Sequence, residues 1–239
     1  MNLILFLLLI AIACFFQGIV GFGFALIAVP LALLFLDKIT VIVSLAVVGL
    51  SLGLFLFRKI SQPLNLAVFK FLSVAGLIGL PVGIFILKAA PLPLLKVVAG
   101  AISVLFTLII GFSKIKLPQS KFLVCFAGFL SGILQTSISM SGPPVVLLLT
   151  GIGSAKDELR KTTVSFFLFL NIVSIPLFLA TLPVTWGKIS YGIFAIPAAI
   201  LGGYLGDRVS GKISQNAFKI IVLTFVFLAG ILSVCSGLR

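Results

Sequence analysis

The sequence predicts an all-α polytopic membrane protein built as an inverted repeat of two halves. Each half is a broken, re-entrant helical hairpin followed by three transmembrane helices. Three observations carry this prediction. The 239 residues are 62% apolar, with 17 Lys and Arg and only 4 Asp and Glu, at a mean hydropathy of +1.41; a soluble domain is nearer half apolar and a quarter charged. Two apolar stretches are too long for one span and carry a polar or glycine-rich break. The order of elements then recurs in the second half.

In chain order, the first apolar stretch covers residues 2–36. Its start, MNLILFLLLIAIACFF, is like the apolar region of a signal peptide. It lacks a basic leader and runs on into a second apolar stretch, so it reads as retained. Spans follow at 39–57, 66–87 and 93–112. The second overlong stretch covers 122–152, and spans follow at 162–182, 188–206 and 216–236. At ~1.5 Å per residue, the overlong stretches would form helices of roughly 45 to 52 Å against a hydrocarbon core of ~30 Å. The breaks are Gln17-Gly18-Ile19-Val20-Gly21-Phe22-Gly23 and Gln135-Thr136-Ser137-Ile138-Ser139-Met140-Ser141-Gly142-Pro143-Pro144. Glycine frees the backbone from helical dihedrals and proline removes a donor, so each stretch reads as two half-helices joined by irregular chain. Such backbone survives at membrane depth only inside protein or beside a cavity.

The repeat is visible in matched residues. A shift of 114 pairs Gly18 with Gly132, Ile19 with Ile133 and Pro30 with Pro144; a shift of 123 pairs Gly79 with Gly202, Gly83 with Gly206 and Lys96 with Lys219. The halves are residues 1–113 and 114–239, forming one integral membrane domain. Charge then sets the topology. If both broken stretches cross, giving eight spans, the cations divide almost evenly. If both are hairpins, one face holds Arg58, Lys59, Lys70, Lys114, Lys116, Lys121, Lys156, Arg160, Lys161, Arg208, Lys212 and Lys219, and the other holds Lys38, Lys88, Lys96, Lys188 and Arg239. That bias favours the hairpin count, with the richer face cytoplasmic and both termini outside. Three spans per half is odd, so the halves must be inverted.

In such an arrangement a ligand sits near midplane, where half-helix N-termini converge. A helix restarts after each break, at 24–36 and at 144–150, and its first N–H groups and positive dipole end favour an anion. Gln17, Gly18, Gly21, Phe22, Gly23, Gln135, Thr136, Ser137, Ser139, Ser141, Gly142, Pro143 and Pro144 are the candidate binding residues. Lys96, Lys219 and Asn171 are secondary candidates for a pore or its mouths, with snorkelling and interhelical bonding as their simpler roles. Gly79-x-x-x-Gly83 and Gly202-x-x-x-Gly206 read as helix contacts. Trp186 reads as an interfacial anchor.

Other chemistry finds little support. The chain has no histidine, and Cys14, Cys125 and Cys235 lie in apolar runs without metal or disulfide spacing. No cofactor, metal or enzymatic base is expected, and the basic loops read as topology signals and not as a nucleic-acid face. All four acids, Asp37, Asp157, Glu158 and Asp207, lie in or beside loops, so no buried carboxylate is available as an ion relay.

GIVGFGFALIAVP and GILQTSISMSGPPVVLL resemble the paired glycine-rich segments of the TauE/SafE permeases, the sulfite exporters. The likeness extends through size, span count and repeat to the whole chain. It implies export of sulfite, sulfoacetate or another small inorganic or organosulfur anion across a prokaryotic inner membrane, in a lipid bilayer and with homodimerisation open. By motif position it points to Gly18, Gly21, Gly23, Gly142, Pro143 and Pro144. The second break is rich in Ser and Thr where many relatives carry glycines. A passive anion channel and a non-transporting accessory subunit are the alternative readings.

Overall fold

The computed structural model describes residues 2–20, 22–60, 64–112, 116–209 and 215–238; side chains at 20, 112, 156 and 215–222 lie outside this description. Among the described residues the fold is all-α, with ten helices: α1 (Asn2–Val20), α2 (Phe24–Ala32), α3 (Lys38–Lys59), α4 (Leu66–Ala89), α5 (Leu92–Phe112), α6 (Lys121–Ile138), α7 (Gly142–Gly151), α8 (Lys156–Thr181), α9 (Trp186–Val209) and α10 (Gln215–Gly237). A long helix, a short one and three long ones thus occur twice in the same order. Large apolar side chains face outward along the helices, among them Ile4 and Leu8 of α1, Ile78 and Phe85 of α4, and Leu201 of α9. An apolar exterior of this kind needs lipid to cover it.

Helix directions follow from which residues touch. Phe6 meets Tyr191 edge-on while Gly18 lies against Gly203 and Asp207, so α1 runs parallel to α9. Ser44 donates to the Lys188 carbonyl and Lys59 bonds Asp207, so α3 runs the same way. Gly128 lies on Leu72 and Thr136 donates to Leu80 O, so α6 runs parallel to α4. Lys38 donates to Leu87 O and Ala90 O at the end of α4, so α4 and α6 run against α1, α3 and α9. Helices that hold the same place in the two halves lie antiparallel: α3 against α8, with Gly53 on Leu168 and Lys161 bonded to Ile60 O, and α5 against α10, with Gly100 on Gly230 and Gly237 on Pro93.

Two consequences follow for the broken stretches. Both ends of the first lie beside the start of α9, since Lys188 also sits 3.9 Å from Asp37. Both ends of the second adjoin each other, where Leu117 N donates to Gly151 O at 2.8 Å. The chain therefore reverses at each break, and the two reversals enter from opposite ends of the bundle. Lys38, Lys88 and Lys188 mark the cation-poor end, and Lys59, Lys116, Arg160 and Lys161 mark the cation-rich end.

The breaks are narrower than the sequence suggests. Gln17 to Val20 and Gln135 to Ile138 stay helical, and the described irregular backbone is confined to 22–23 and 139–141. The polar residues before the second break do not compete the helix open, because they bond to its own or a neighbouring backbone: Ser137 donates to Ile133 O and Thr136 to Leu80 O. The breaks fall where residues adopt positive φ, at Gly23 (107°) and Ser139 (55°). As a result the first arm of each reversal is no half-helix. Both α1 and α6 offer an 18-residue apolar window, and they count among seven helices long and apolar enough to cross a membrane among the described residues. The second arms, α2 and α7, have nine and ten residues.

The glycine pairs are helix contacts, as expected. A Cβ on Gly79 or Gly83 would overlap the carbonyl of Phe129 or Ile133 of α6, and one on Gly202 or Gly206 that of Ala11 or Phe15 of α1. Each first arm thus packs on the fourth helix of the other half, which locks the two halves together.

Candidate functional site

The two reversals meet at one cavity of about 30 Å³. Its wall takes Gln17 from α1, Gly23 and the first turn of α2, Gln135 from α6, and Ser139 to Pro143 from the second break and α7; α3 adds Leu45, Gly49 and Gly53, and α8 adds Val164, Phe167 and Asn171. Both short helices begin at this wall, so both present their N-termini to it.

Local sequence explains the donors. Gly23, at φ 107°, makes the left-handed step that starts α2, a conformation that costs little without a Cβ. Gln17 Oε1 then accepts from Phe24 N at 3.1 Å, leaving the Gln17 NH2 as a donor in the wall. At α7, Pro143 and Pro144 carry no N–H, so the amides available at this end are those of Ser141 and Gly142. Ser139 donates to Ile42 O at 3.1 Å, which pins the second break to α3.

Gln135 and Asn171 form an amide chain in the same lining. Asn171 Nδ2 donates to Phe167 O at 2.8 Å, and Gln135 Nε2 donates to Asn171 Oδ1 at 2.9 Å. Asn171 therefore both bonds between helices and lines the cavity.

Of the candidates read from sequence, Gln17, Gly23, Gln135, Ser139, Ser141, Gly142, Pro143 and Asn171 come together here. Others lie elsewhere. Gly18 sits in the α1/α9 seam, where a Cβ would overlap Gly203 O. Phe22 meets Phe106 of α5 edge-on, centroids 6.2 Å apart. Thr136 and Ser137 are spent on backbone carbonyls, and Pro144 stands one residue past the cavity wall in α7. Lys96 bonds Ser236 at 3.0 Å in the α5/α10 seam. Gly21 and the side chain of Lys219 lie outside the described residues. The contributions of α3 and, apart from Asn171, of α8 were not read from sequence. Their signal is the Gly49-x-x-x-Gly53 spacing and the Val164, Phe167, Asn171 helical face.

Beyond Val164 on the same α8 face, Arg160 Nη2 donates to Asp207 Oδ1 at 2.8 Å and to Gly18 O at 3.0 Å. Lys59 pairs with Asp207 at 3.0 Å. This cluster joins α1, α3, α8 and α9 at the cation-rich end. At the other end Asp37 caps α3 through the Ile39 and Thr40 amides. Burial pushes its carboxyl up, but the Thr40 hydroxyl and amide, Lys188 and the Ile39 amide together hold it below the usual carboxylate range. Glu158 accepts from Asn65. No acid lines the cavity among the described residues.

No curated protein and no solved structure shows significant similarity to the chain. The family model for the sulfite exporter TauE/SafE matches residues 5–233, a range that takes in both breaks and all of α2 to α9. A multi-pass arrangement of apolar helices around a small cavity with a few amide and hydroxyl groups in its wall suits that family, whose members are transporters and not enzymes. The chain belongs to the TauE/SafE sulfite exporter family.

Proposed function

We propose that the chain is a secondary transporter that exports small sulfur-containing anions, sulfite or sulfoacetate among them, across a prokaryotic inner membrane by alternating access. The anion is held near midplane between the N-termini of α2 and α7. The observation that carries the reading is the meeting of two chain reversals, entered from opposite ends, at one cavity whose described lining is uncharged and includes several amide and hydroxyl groups. Backbone amides and side-chain amides in a site screened from water are the groups that hold an oxyanion without a full countercharge.

The same reading takes residues 1–113 and 114–239 as inverted repeats, supported by the antiparallel pairing of α3 with α8 and of α5 with α10. The cation-rich end is then cytoplasmic and both termini are outside. A reporter active only outside the cytoplasm should be active when fused after Arg239 and silent when fused near Lys116. Equal activity at both sites would refute the topology.

Proteoliposomes preloaded with sulfite test the function. Saturable counterflow of labelled sulfite is expected, and it should persist in Asp37→Asn and Asp207→Asn. No carboxylate lines the cavity among the described residues, so any proton must travel on the substrate or be replaced by the membrane potential acting on its charge. Electrogenic flux without counterflow would replace the transporter by a channel. A folded but inactive Asp37→Asn protein would show that a carboxylate takes part in coupling.

A further inference from the structure

Resting on the reading of the cavity as an anion site, we propose that it selects singly charged oxyanions that carry a proton, such as bisulfite, and rejects dianions. Three observations converge on this.

The first is the charge available. No charged side chain lines the cavity among the described residues. The charged groups packed around it bond elsewhere: Arg160 through Nη2 to Asp207 and Gly18 O, its buried Nε without a partner but outside the cavity lining, Lys59 to Asp207, Lys161 to the carbonyls of Phe57 and Ile60, Lys38 to those of Leu87 and Ala90, and Lys188 to Asp37. The cost of taking an ion out of water grows with the square of its charge, so a dianion meets four times the penalty of a monoanion. What the site offers in return is two helix N-termini, each equivalent to roughly half a positive charge. Together they balance about one negative charge.

The second is the polarity of the Gln135–Asn171 pair, which the Phe167 carbonyl fixes. That carbonyl can only accept, so the Asn171 NH2 faces it, and Asn171 Oδ1 must accept from the Gln135 NH2. Gln135 Oε1 is left as an acceptor with no partner among the described residues, on a side chain only 3% exposed that lines the cavity. A bare oxyanion oxygen is repelled there, whereas an O–H is bound.

The third is the donor side. Gln17 Oε1 is taken by Phe24 N, so Gln17 presents an NH2, and the amides of Ser141 and Gly142 join it. Donors at the two breaks and an unpartnered acceptor at Gln135 match a protonated monoanion. The substrate then brings its own proton, which fits a cavity with no titratable lining group among the described residues.

Calorimetric titration of the purified full chain tests this, with sodium sulfite, methanesulfonate and sulfate each measured on the acid and alkaline sides of the sulfite titration. Sulfite affinity should fall about tenfold per pH unit on the alkaline side, as the protonated form is depleted. Methanesulfonate, singly charged throughout and without an O–H, should bind more weakly and without pH dependence; sulfate should not bind. Gln135→Met should erase the preference for sulfite over methanesulfonate on the acid side. Sulfite affinity that holds level or rises with pH, or sulfate binding as tight as that of sulfite, overturns the inference and leaves an anion site standing. A parallel fall for methanesulfonate places the titration in the protein and also overturns it. Failure of all three ligands to bind a cooperatively melting chain removes the site itself.

Discussion

Gly132→Val is expected to leave little folded protein. Gly132 lies where α6 crosses α4, and a Cβ there would overlap the Gly76 carbonyl, with Gly76 Cα only 3.0 Å away. Backbone atoms cannot rotate aside as a flexible side chain can, so the helices must part. Parting them also lengthens the bond from Thr136 to Leu80 O, 2.7 Å in the intact seam. Overpacking a fitted core costs about 1–3 kcal/mol even where side chains can yield. Against two rigid backbones the cost should exceed about 3 kcal/mol, a large part of the stability of a small fold. Fluorescence-detected size exclusion of detergent extracts checks it. A monodisperse peak and parental melting temperature would show that the seam is looser than the contacts indicate.

Gly142→Val, ten residues along, should do the opposite: the protein folds and the anion site is lost. A Cβ on Gly142 meets nothing closer than Phe167 Cζ at 3.7 Å, an ordinary contact, so the fold tolerates it. The added methyl groups instead enter a cavity of about 30 Å³ and cover one of the two amides left at the start of α7. Affinity should drop at least about tenfold, or about 1.4 kcal/mol, with melting close to the parent in the absence of ligand. Gln17→Leu should weaken binding similarly, but it also strips the Phe24 amide of its partner, so some stability is lost with it. Unchanged affinity in Gly142→Val would place the anion elsewhere.

The contrast between these two glycines shows what sequence could and could not convey. Composition and the two overlong stretches fixed the membrane class and the place of both breaks, because hydropathy and length report directly on the bilayer. The seam role of Gly79, Gly83, Gly202 and Gly206 was legible from spacing alone. Gly18 was not: it stands among break residues, yet its backbone is still helical and packs on Gly203. Thr136 and Ser137 look like ligands in a string of letters, but a hydroxyl in an apolar helix can satisfy itself on a carbonyl a turn away or across a seam, and both do. The far wall of the cavity depends on which helices become neighbours. Leu45, Gly49, Val164 and Phe167 therefore show no more than a helical spacing in the sequence, and only the packing of α3 and α8 places them at the cavity. The polarity of Gln135 is hidden for the same reason, since it is set by a carbonyl of another helix.

The central claim is that both reversals build one anion site. Hydrogen selenite has the charge, shape and proton of bisulfite and carries an anomalous scatterer, so crystals grown with it locate the ligand directly. The account predicts a selenium peak between the N-termini of α2 and α7, within hydrogen-bonding reach of Gln17, Gln135 and Ser141. A peak at the Arg160, Lys59 and Asp207 cluster with the cavity empty would contradict it.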